Sequence, residues 1–219
     1  MRQAIRTIQY LHCTRDLGLR FRTDHTHAVQ THTNSDWAGC LDTRQSTSGR
    51  VTMLQGAAVM WGSARQHSIA LSYTEAEIVA ACDATRDTRY LRRVHAALDI
   101  PITDPTPLMI DSSSALTWSA KRAKWSASRH VATRYFCIQQ WRKDSHVLPT
   151  KVDTTRQLAD ICTKALPHVT FVALRGMLMG RRFDADPIIH IDTLARSRKI
   201  SAPLPRRHKS ETELYQNFS

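Results

Sequence analysis

Asn34-Ser35-Asp36-Trp37-Ala38-Gly39-Cys40-Leu41-Asp42 opens the stretch that decides the fold, Ser46-Thr47-Ser48-Gly49 continues it, and Ala70-Leu71-Ser72-Tyr73-Thr74-Glu75-Ala76-Glu77 closes it. Read physically, polar and acidic residues end one strand, a turn follows, two short apolar runs come next, and two carboxylates stand in the first turn of a long helix. Such an order can carry acids from distant parts of the chain to one edge of a sheet.

Working outward, Arg50-Val51-Thr52-Met53-Leu54 and Ala57-Ala58-Val59-Met60-Trp61, separated by Gln55-Gly56, predict a hairpin. Upstream, residues 26–33 predict a strand, although a poorly apolar one. Downstream, a helix is expected from about Tyr73 to Leu98, stopped by Pro101. Ser72 with Glu75, or Thr74 with Glu77, fits a capping box, and an acid in a first helical turn is more commonly a cap than a ligand. Leu108-Met109-Ile110 predicts a short strand that delivers Asp111 past its carboxyl end, either to a crevice or as the N-cap of the helix opened by Ser112. A further helix is expected over Val131 to Trp141 and a last strand at His146-Val147-Leu148. Another helix is expected from Gln157, with Leu158, Ile161 and Cys162 buried and Asp160 off that face.

The formal charge of +12 at pH 7 suggests a polyanionic partner, with nucleic acid the first candidate. Lys121, Arg122 and Lys124, with Trp125 between them and Arg129 and His130, form the densest basic stretch of the central chain. That chemistry suits phosphate contact with occasional stacking, and equally a solvated basic loop. The five cysteines are scattered, with no zinc-ligand or redox spacing, so a reduced intracellular protein is expected. No secretory signal is recognisable, and no apolar run approaches the ~20 residues that span a bilayer.

These motifs resemble, in order, those of the ribonuclease H domain of copia-type retrotransposon Pol polyproteins. Thr33-Asn34-Ser35-Asp36-Trp37-Ala38-Gly39 is similar to the family's Ser-Asp-Ala-Asp-Trp-Ala-Gly segment, and the stretch ending in Glu77 to Ser-Ser-Thr-Glu-Ala-Glu-Tyr. Trp61-Gly62-Ser63-Ala64-Arg65-Gln66 resembles Trp-Ser-Ser-Lys-Lys-Gln, and Tyr90-Leu91-Arg92-Arg93 resembles Trp-Leu-Arg-Arg. Ile110-Asp111-Ser112 is similar to Cys-Asp-Asn, and Arg129-His130-Val131 to Lys-His-Ile. Leu158-Ala159-Asp160-Ile161-Cys162-Thr163-Lys164-Ala165-Leu166-Pro167 stands beside Leu-Ala-Asp-Ile-Leu-Thr-Lys-Pro-Leu-Pro.

The resemblance implies an α/β, ribonuclease H-like fold with a mixed sheet of about five strands flanked by helices. Residues 1–25 would be a remnant of the reverse transcriptase connection, residues 26–180 the ribonuclease H-like domain, and residues 181–219 a basic, disordered tail. The chain is expected to begin just after the polymerase module ends. The implied substrate is an RNA–DNA hybrid, with no membrane and no small-molecule substrate. The implied cofactors are two Mg²⁺ (or Mn²⁺) ions held by four carboxylates. Hard cations prefer carboxylate oxygen, and two of them roughly 4 Å apart activate water and steady the leaving oxygen of a phosphodiester. Carried over, Asp111 and Asp160 are the third and fourth acids, and Glu75 is favoured as the second, with Glu77 the alternative. The first falls on Asn34, an amide where the ion-bridging aspartate belongs, so cleavage is expected to be impaired. Asp36, about 7 Å further along the strand, is not expected to compensate. His130 could assist near the scissile phosphate. Ala132 in place of the aspartate of His-Ile-Asp, and Arg50 in place of an apolar residue after Ser-Thr-Ser-Gly, are further departures that agree with erosion. The alternative function is a catalytically inactive module that binds RNA or hybrid, or a relic with no role.

Overall fold

Thr31, His32, Thr33, Asn34 and Ser35 are all buried, and the strand they form, β1 (Val29–Asp36), is the central strand of the sheet. The Thr31 hydroxyl is accommodated by hydrogen bonds, lying 2.7 Å from that of Thr88 and 3.2 Å from that of Thr52, whereas the Thr33 hydroxyl is buried without a partner. In the computed structural model, which describes residues 2–23, 27–120 and 129–181, β1 pairs antiparallel with β2 (Thr47–Leu54), and β2 with β3 (Ala57–Arg65). The β2–β3 turn places Gln55 at φ +47° and Gly56 at φ +81°, the doubly left-handed geometry of a two-residue hairpin. On its other side β1 runs parallel to β4 (Thr106–Ile110), and β4 parallel to β5 (Val147–Lys151), giving the order β3-β2-β1-β4-β5. The architecture is a mixed five-stranded sheet flanked by helices, an α/β fold.

Helices cover both faces. α1 (Arg2–Cys13) precedes the sheet, and its Tyr10 ring meets Phe171 edge to face at 6.0 Å. α2 (Tyr73–Ala97) crosses one face. Ile78, Ala81, Cys82 and Ala84 from α2 form one apolar core with Leu108, Ile110, Val147 and Ala115 of α3 (Ser113–Ala120). Tyr135, Ile138 and Trp141 of α4 (Arg129–Lys143) complete it. On the opposite face Val51, Met53 and Ala58 pack with Leu158 and with Leu174 of α5 (His168–Leu178). No helix among the described residues is long and apolar enough to cross a membrane.

The expected helix from Gln157 is corrected by the structure. Residues 154–162 form two short 3-10 turns, Thr154–Arg156 and Leu158–Cys162, and α5 begins separately at His168 after Pro167. The tight turn also changes which side chains face inward. Asp160 is 4 % exposed and faces the sheet, whereas the helical spacing put it off the buried face. Lys121, Arg122 and Lys124 lie outside the described residues, as do residues 182–219 of the expected tail. Arg129 and His130 start α4, and their side chains are likewise outside the description.

Candidate active site

Parallel pairing between β1 and β4 is confined to Thr31 with Leu108 and His32 with Met109. Beyond these residues a glutamine takes over the backbone groups that the ladder leaves open. Gln157 Nε2 donates to the Thr33 carbonyl at 3.0 Å and to the Met109 carbonyl at 3.4 Å, while its Oε1 lies 3.2 Å from His32 Nδ1. Burial holds the His32 imidazole down at about pH 4, so at neutral pH it is an uncharged partner in this network. The wholly buried Gln157 therefore fixes the following 3-10 turn to the carboxyl ends of the two strands. Open α/β sheets bind ligands at such a place. Gly49, opposite Asn34 in the β1–β2 register, allows the turn to approach from the side. A Cβ there would stand 2.6 Å from the Ala159 carbonyl oxygen and 2.5 Å from Thr163 Cγ2.

Four of the chain positions singled out by sequence meet in this notch. Asn34 Nδ2 donates a short hydrogen bond to Asp160 Oδ1 and another, of 3.2 Å, to Thr163 Oγ1. Asp160 Oδ2 is paired with Lys164 Nζ at 2.9 Å. From α2, Glu77 Oε1 accepts from the Ser35 backbone N–H at 2.9 Å and from the Ser35 hydroxyl at 2.8 Å. Its other oxygen is buried without a donor. Burial lifts the Glu77 carboxyl from its ordinary 4.5 to about 7; the Ser35 bonds oppose that rise and the charge of Asp111 adds to it. Asp111, just past β4, is also raised, by burial and then by Asp160, with Lys164 and Lys151 opposing. One Asp111 oxygen is buried without a donor. The Tyr73 hydroxyl titrates above its ordinary range, through burial and then the charges of Glu77, Asp111 and Asp160. Tyr73 stands one helical turn before Glu77 and is 38 % exposed, so it forms part of the rim.

Glu75 is turned elsewhere. Its Oε2 accepts from the Leu71 backbone N–H at 2.9 Å, and its own N–H donates to Ser72 Oγ at 3.2 Å, so it serves the start of α2 as a cap. Of the two glutamates left open by sequence, Glu77 is the one directed at the notch. Asp111 does not cap α3: Ser112 Oγ accepts the Ala115 N–H at 3.2 Å, which leaves the aspartate free of that duty. Asp36 is occupied too. Its carboxylate lies over Gly39, where a Cβ would come 2.0 Å from Oδ2. Sequence reasoning missed Gln157 and Tyr73. Gln157 immediately precedes the Leu-Ala-Asp motif but carries no signal of a long-range strand contact.

The residues do not fit a two-ion centre. Position 34 offers an amide whose N–H₂ points at Asp160, and both Asp160 oxygens are engaged by donors of the chain. Among the described residues no group of three or more His, Cys, Asp or Glu side chains is disposed to hold a metal ion. What remains is a pair of carboxyl oxygens, one from Glu77 and one from Asp111, that lack donors.

No protein-family model matches the chain. Over 166 residues it is 28 % identical to the retrovirus-related Pol polyprotein from transposon RE2 of Arabidopsis thaliana, covering 76 % of this chain and 11 % of that protein. Over 140 residues it is 31 % identical to the Pol polyprotein from transposon TNT 1-94 of Nicotiana tabacum, covering 64 % of this chain and 10 % of that protein. The chain thus spans about a tenth of the length of the curated relatives it matches. Among solved structures it is similar to LC11 ribonuclease H1 in complex with an RNA/DNA hybrid. That likeness has a TM-score of 0.46 and 12 % identity, and covers 62 % of this chain and 93 % of the other.

Proposed function

Taking as premise a chain related to the ribonuclease H region of retrotransposon Pol polyproteins, we propose that it is an RNA–DNA hybrid-recognising domain whose hydrolysis is impaired at the first acidic position. The observation that carries the proposal is the Asn34 amide donating to Asp160 inside the notch. In the family pattern this position holds the aspartate shared by two divalent ions. A carboxylate offers two anionic oxygens that can bridge, whereas an amide offers one neutral carbonyl oxygen, and here its N–H₂ group is the part turned inward. Lys164 stands where the family motif also has lysine, so of the two residues that engage the Asp160 oxygens, Asn34 is the one that departs from the motif.

Glu77, Asp111 and Asp160 are the acids that would serve Mg²⁺ or Mn²⁺ were position 34 intact, and Glu77 takes the place first given to Glu75. The ion would supply activation of water and charge stabilisation at the phosphodiester. In this chain we derive no cleavage step through it. The net charge of +12 favours a nucleic-acid partner held chiefly through its phosphates. A hybrid would be recognised by backbone and 2′-hydroxyl contacts, which need no catalytic acid.

The test is incubation of the whole chain and of Asn34→Asp with end-labelled RNA–DNA hybrid in Mg²⁺ and in Mn²⁺. The chain should bind hybrid in a salt-sensitive manner and cut it at least about 100-fold more slowly than Asn34→Asp, the size of a lost contact to developing charge. Rapid cutting by the unaltered chain would overturn the reading of Asn34. No binding and no cutting by either protein would overturn the hybrid as substrate.

A further inference from the structure

We propose that the cleft between α1 and α5 is a second nucleic-acid subsite, one that takes an unpaired nucleotide with its phosphate, as at a single-stranded end of a hybrid. The proposal rests on the reading of the chain as a hybrid-binding domain and concerns a surface that shares no residue with the notch.

A cavity of about 520 Å³ lies where the end of α1 meets the start of α5. Pockets that enclose a small organic ligand have this size, and a single nucleotide fits within it. Tyr10 and Phe171 line the cavity with their rings edge to face at 6.0 Å. The Arg175 guanidinium carbon lies 5.8 Å from the centre of the first ring and 5.6 Å from the centre of the second. Rings and guanidinium together offer flat surfaces on which a base of any identity can stack.

The same arginine calls for an anion. Arg175 is half-buried, and its guanidinium makes one hydrogen bond among the described residues, from Nη1 to the Tyr10 hydroxyl at 3.4 Å. No carboxylate of the described residues pairs with it. A charge partly withdrawn from water without a counter-charge is costly, and a phosphate would accept from the remaining N–H donors. His12 and His168 also line the cavity, and neither imidazole has a partner among the described residues. The acid of the lining, Asp16, is 79 % exposed and stands 3.9 Å from Arg15, so it does not neutralise Arg175. A duplex keeps its bases paired and stacked and cannot place one in such a cleft, whereas an unpaired strand can.

The test is fluorescence anisotropy of the whole chain with three labelled probes: blunt RNA–DNA hybrid, the same hybrid with a single-stranded overhang of several nucleotides, and the overhang sequence alone. The overhang should tighten binding roughly tenfold, the worth of one or two stacked bases. Phe171→Leu and Arg175→Met should each remove most of that gain and leave the blunt hybrid bound as before, which also shows that the variants are folded. If Arg175→Met does not fold, His168→Gln, at an exposed position, should lose part of the gain in its place. Adenosine monophosphate in excess should displace the overhang contribution, and inorganic phosphate at the same concentration should not. Equal binding of blunt and overhung hybrid would overturn the proposal, and so would a gain that survives the substitutions. Substitutions that weaken both hybrids equally would show that the stack only holds α1 against α5, and displacement by inorganic phosphate as readily as by the nucleotide would mark a plain anion site; either result overturns it. The two failures are separable. Blunt hybrid bound with no gain from the overhang would sink this proposal alone, while an oligonucleotide bound through Phe171 and Arg175 with blunt hybrid unbound would sink the hybrid reading alone.

Discussion

Glu77 shows how far a single side chain is shaped by its place. It is wholly buried, holds two donors from Ser35 on one oxygen and none on the other, and keeps its proton up to about pH 7. An unfolded chain loses that proton near 4.5, so between 4.5 and 7 the folded state binds more protons than the unfolded one. Stability therefore falls as pH rises through this window and is level above it. The full difference corresponds to roughly 3 kcal/mol, and the raised carboxyl of Asp111 acts in the same direction. Urea unfolding at pH 5 and pH 8 checks this: the unaltered chain should be less stable at pH 8, and Glu77→Gln should lose most of that difference while remaining folded. Equal pH dependence in both proteins would show that the penalty belongs to other groups. Sequence alone favours Glu75 by its place after Thr74 and leaves Glu77 as the alternative, because both suit a capping box. The Leu71 N–H that occupies Glu75 and the Ser35 hydroxyl that receives Glu77 come from loop and strand positions that no local pattern reveals.

Among the elements, the β2–β3 pair and α2 together give Arg50 a place. Arg50 looked like a departure consistent with decay, since the family pattern calls for an apolar residue there. In the structure its Nε is paired with Asp87 at 2.5 Å, on α2, and Gly62 lies directly opposite it in the β2–β3 register. A Cβ at position 62 would stand 2.6 Å from the Arg50 guanidinium carbon. Gly62 is itself a departure, standing where the related motif has serine. The two changes therefore fit each other, and they are accommodated by a partly buried ion pair. Gly62→Ser should displace the guanidinium and destabilise the chain by about 1 kcal/mol. In an Arg50→Met background the same substitution should cost little. A double-mutant cycle from urea unfolding measures the coupling, and additive effects would show the pairing to be accidental. The hairpin, α2 and the parallel strands were legible because apolar period, capping residues and Pro101 act locally. The segment after Gln157 reads as a helix in the sequence because its apolar spacing is satisfied equally by a 3-10 turn, here pinned to the sheet by Gln157 and approached closely at Gly49.

For the whole molecule, the order β3-β2-β1-β4-β5 brings strand ends, a helix start and a tight turn to one place, and positions 34, 77, 111 and 160 meet there. This convergence was readable only through motif resemblance. β1 has no apolar alternation, and the partners that satisfy its buried Thr31 and Asn34 side chains are distant in the chain. The basic stretch proposed for phosphate contact, Lys121, Arg122 and Lys124, lies outside the described residues, so its role rests on charge and on the hybrid-binding test. The central claim is that the notch keeps the layout of a metal centre but has lost its capacity to bind the shared ion at position 34. Anomalous diffraction from crystals of the chain and of Asn34→Asp, each soaked in Mn²⁺, measures this directly. The account predicts no manganese peak between positions 34 and 160 in the unaltered chain and a peak there in Asn34→Asp, with Glu77 and Asp111 nearby. A manganese ion bound at Asn34 and Asp160 in the unaltered chain would contradict it.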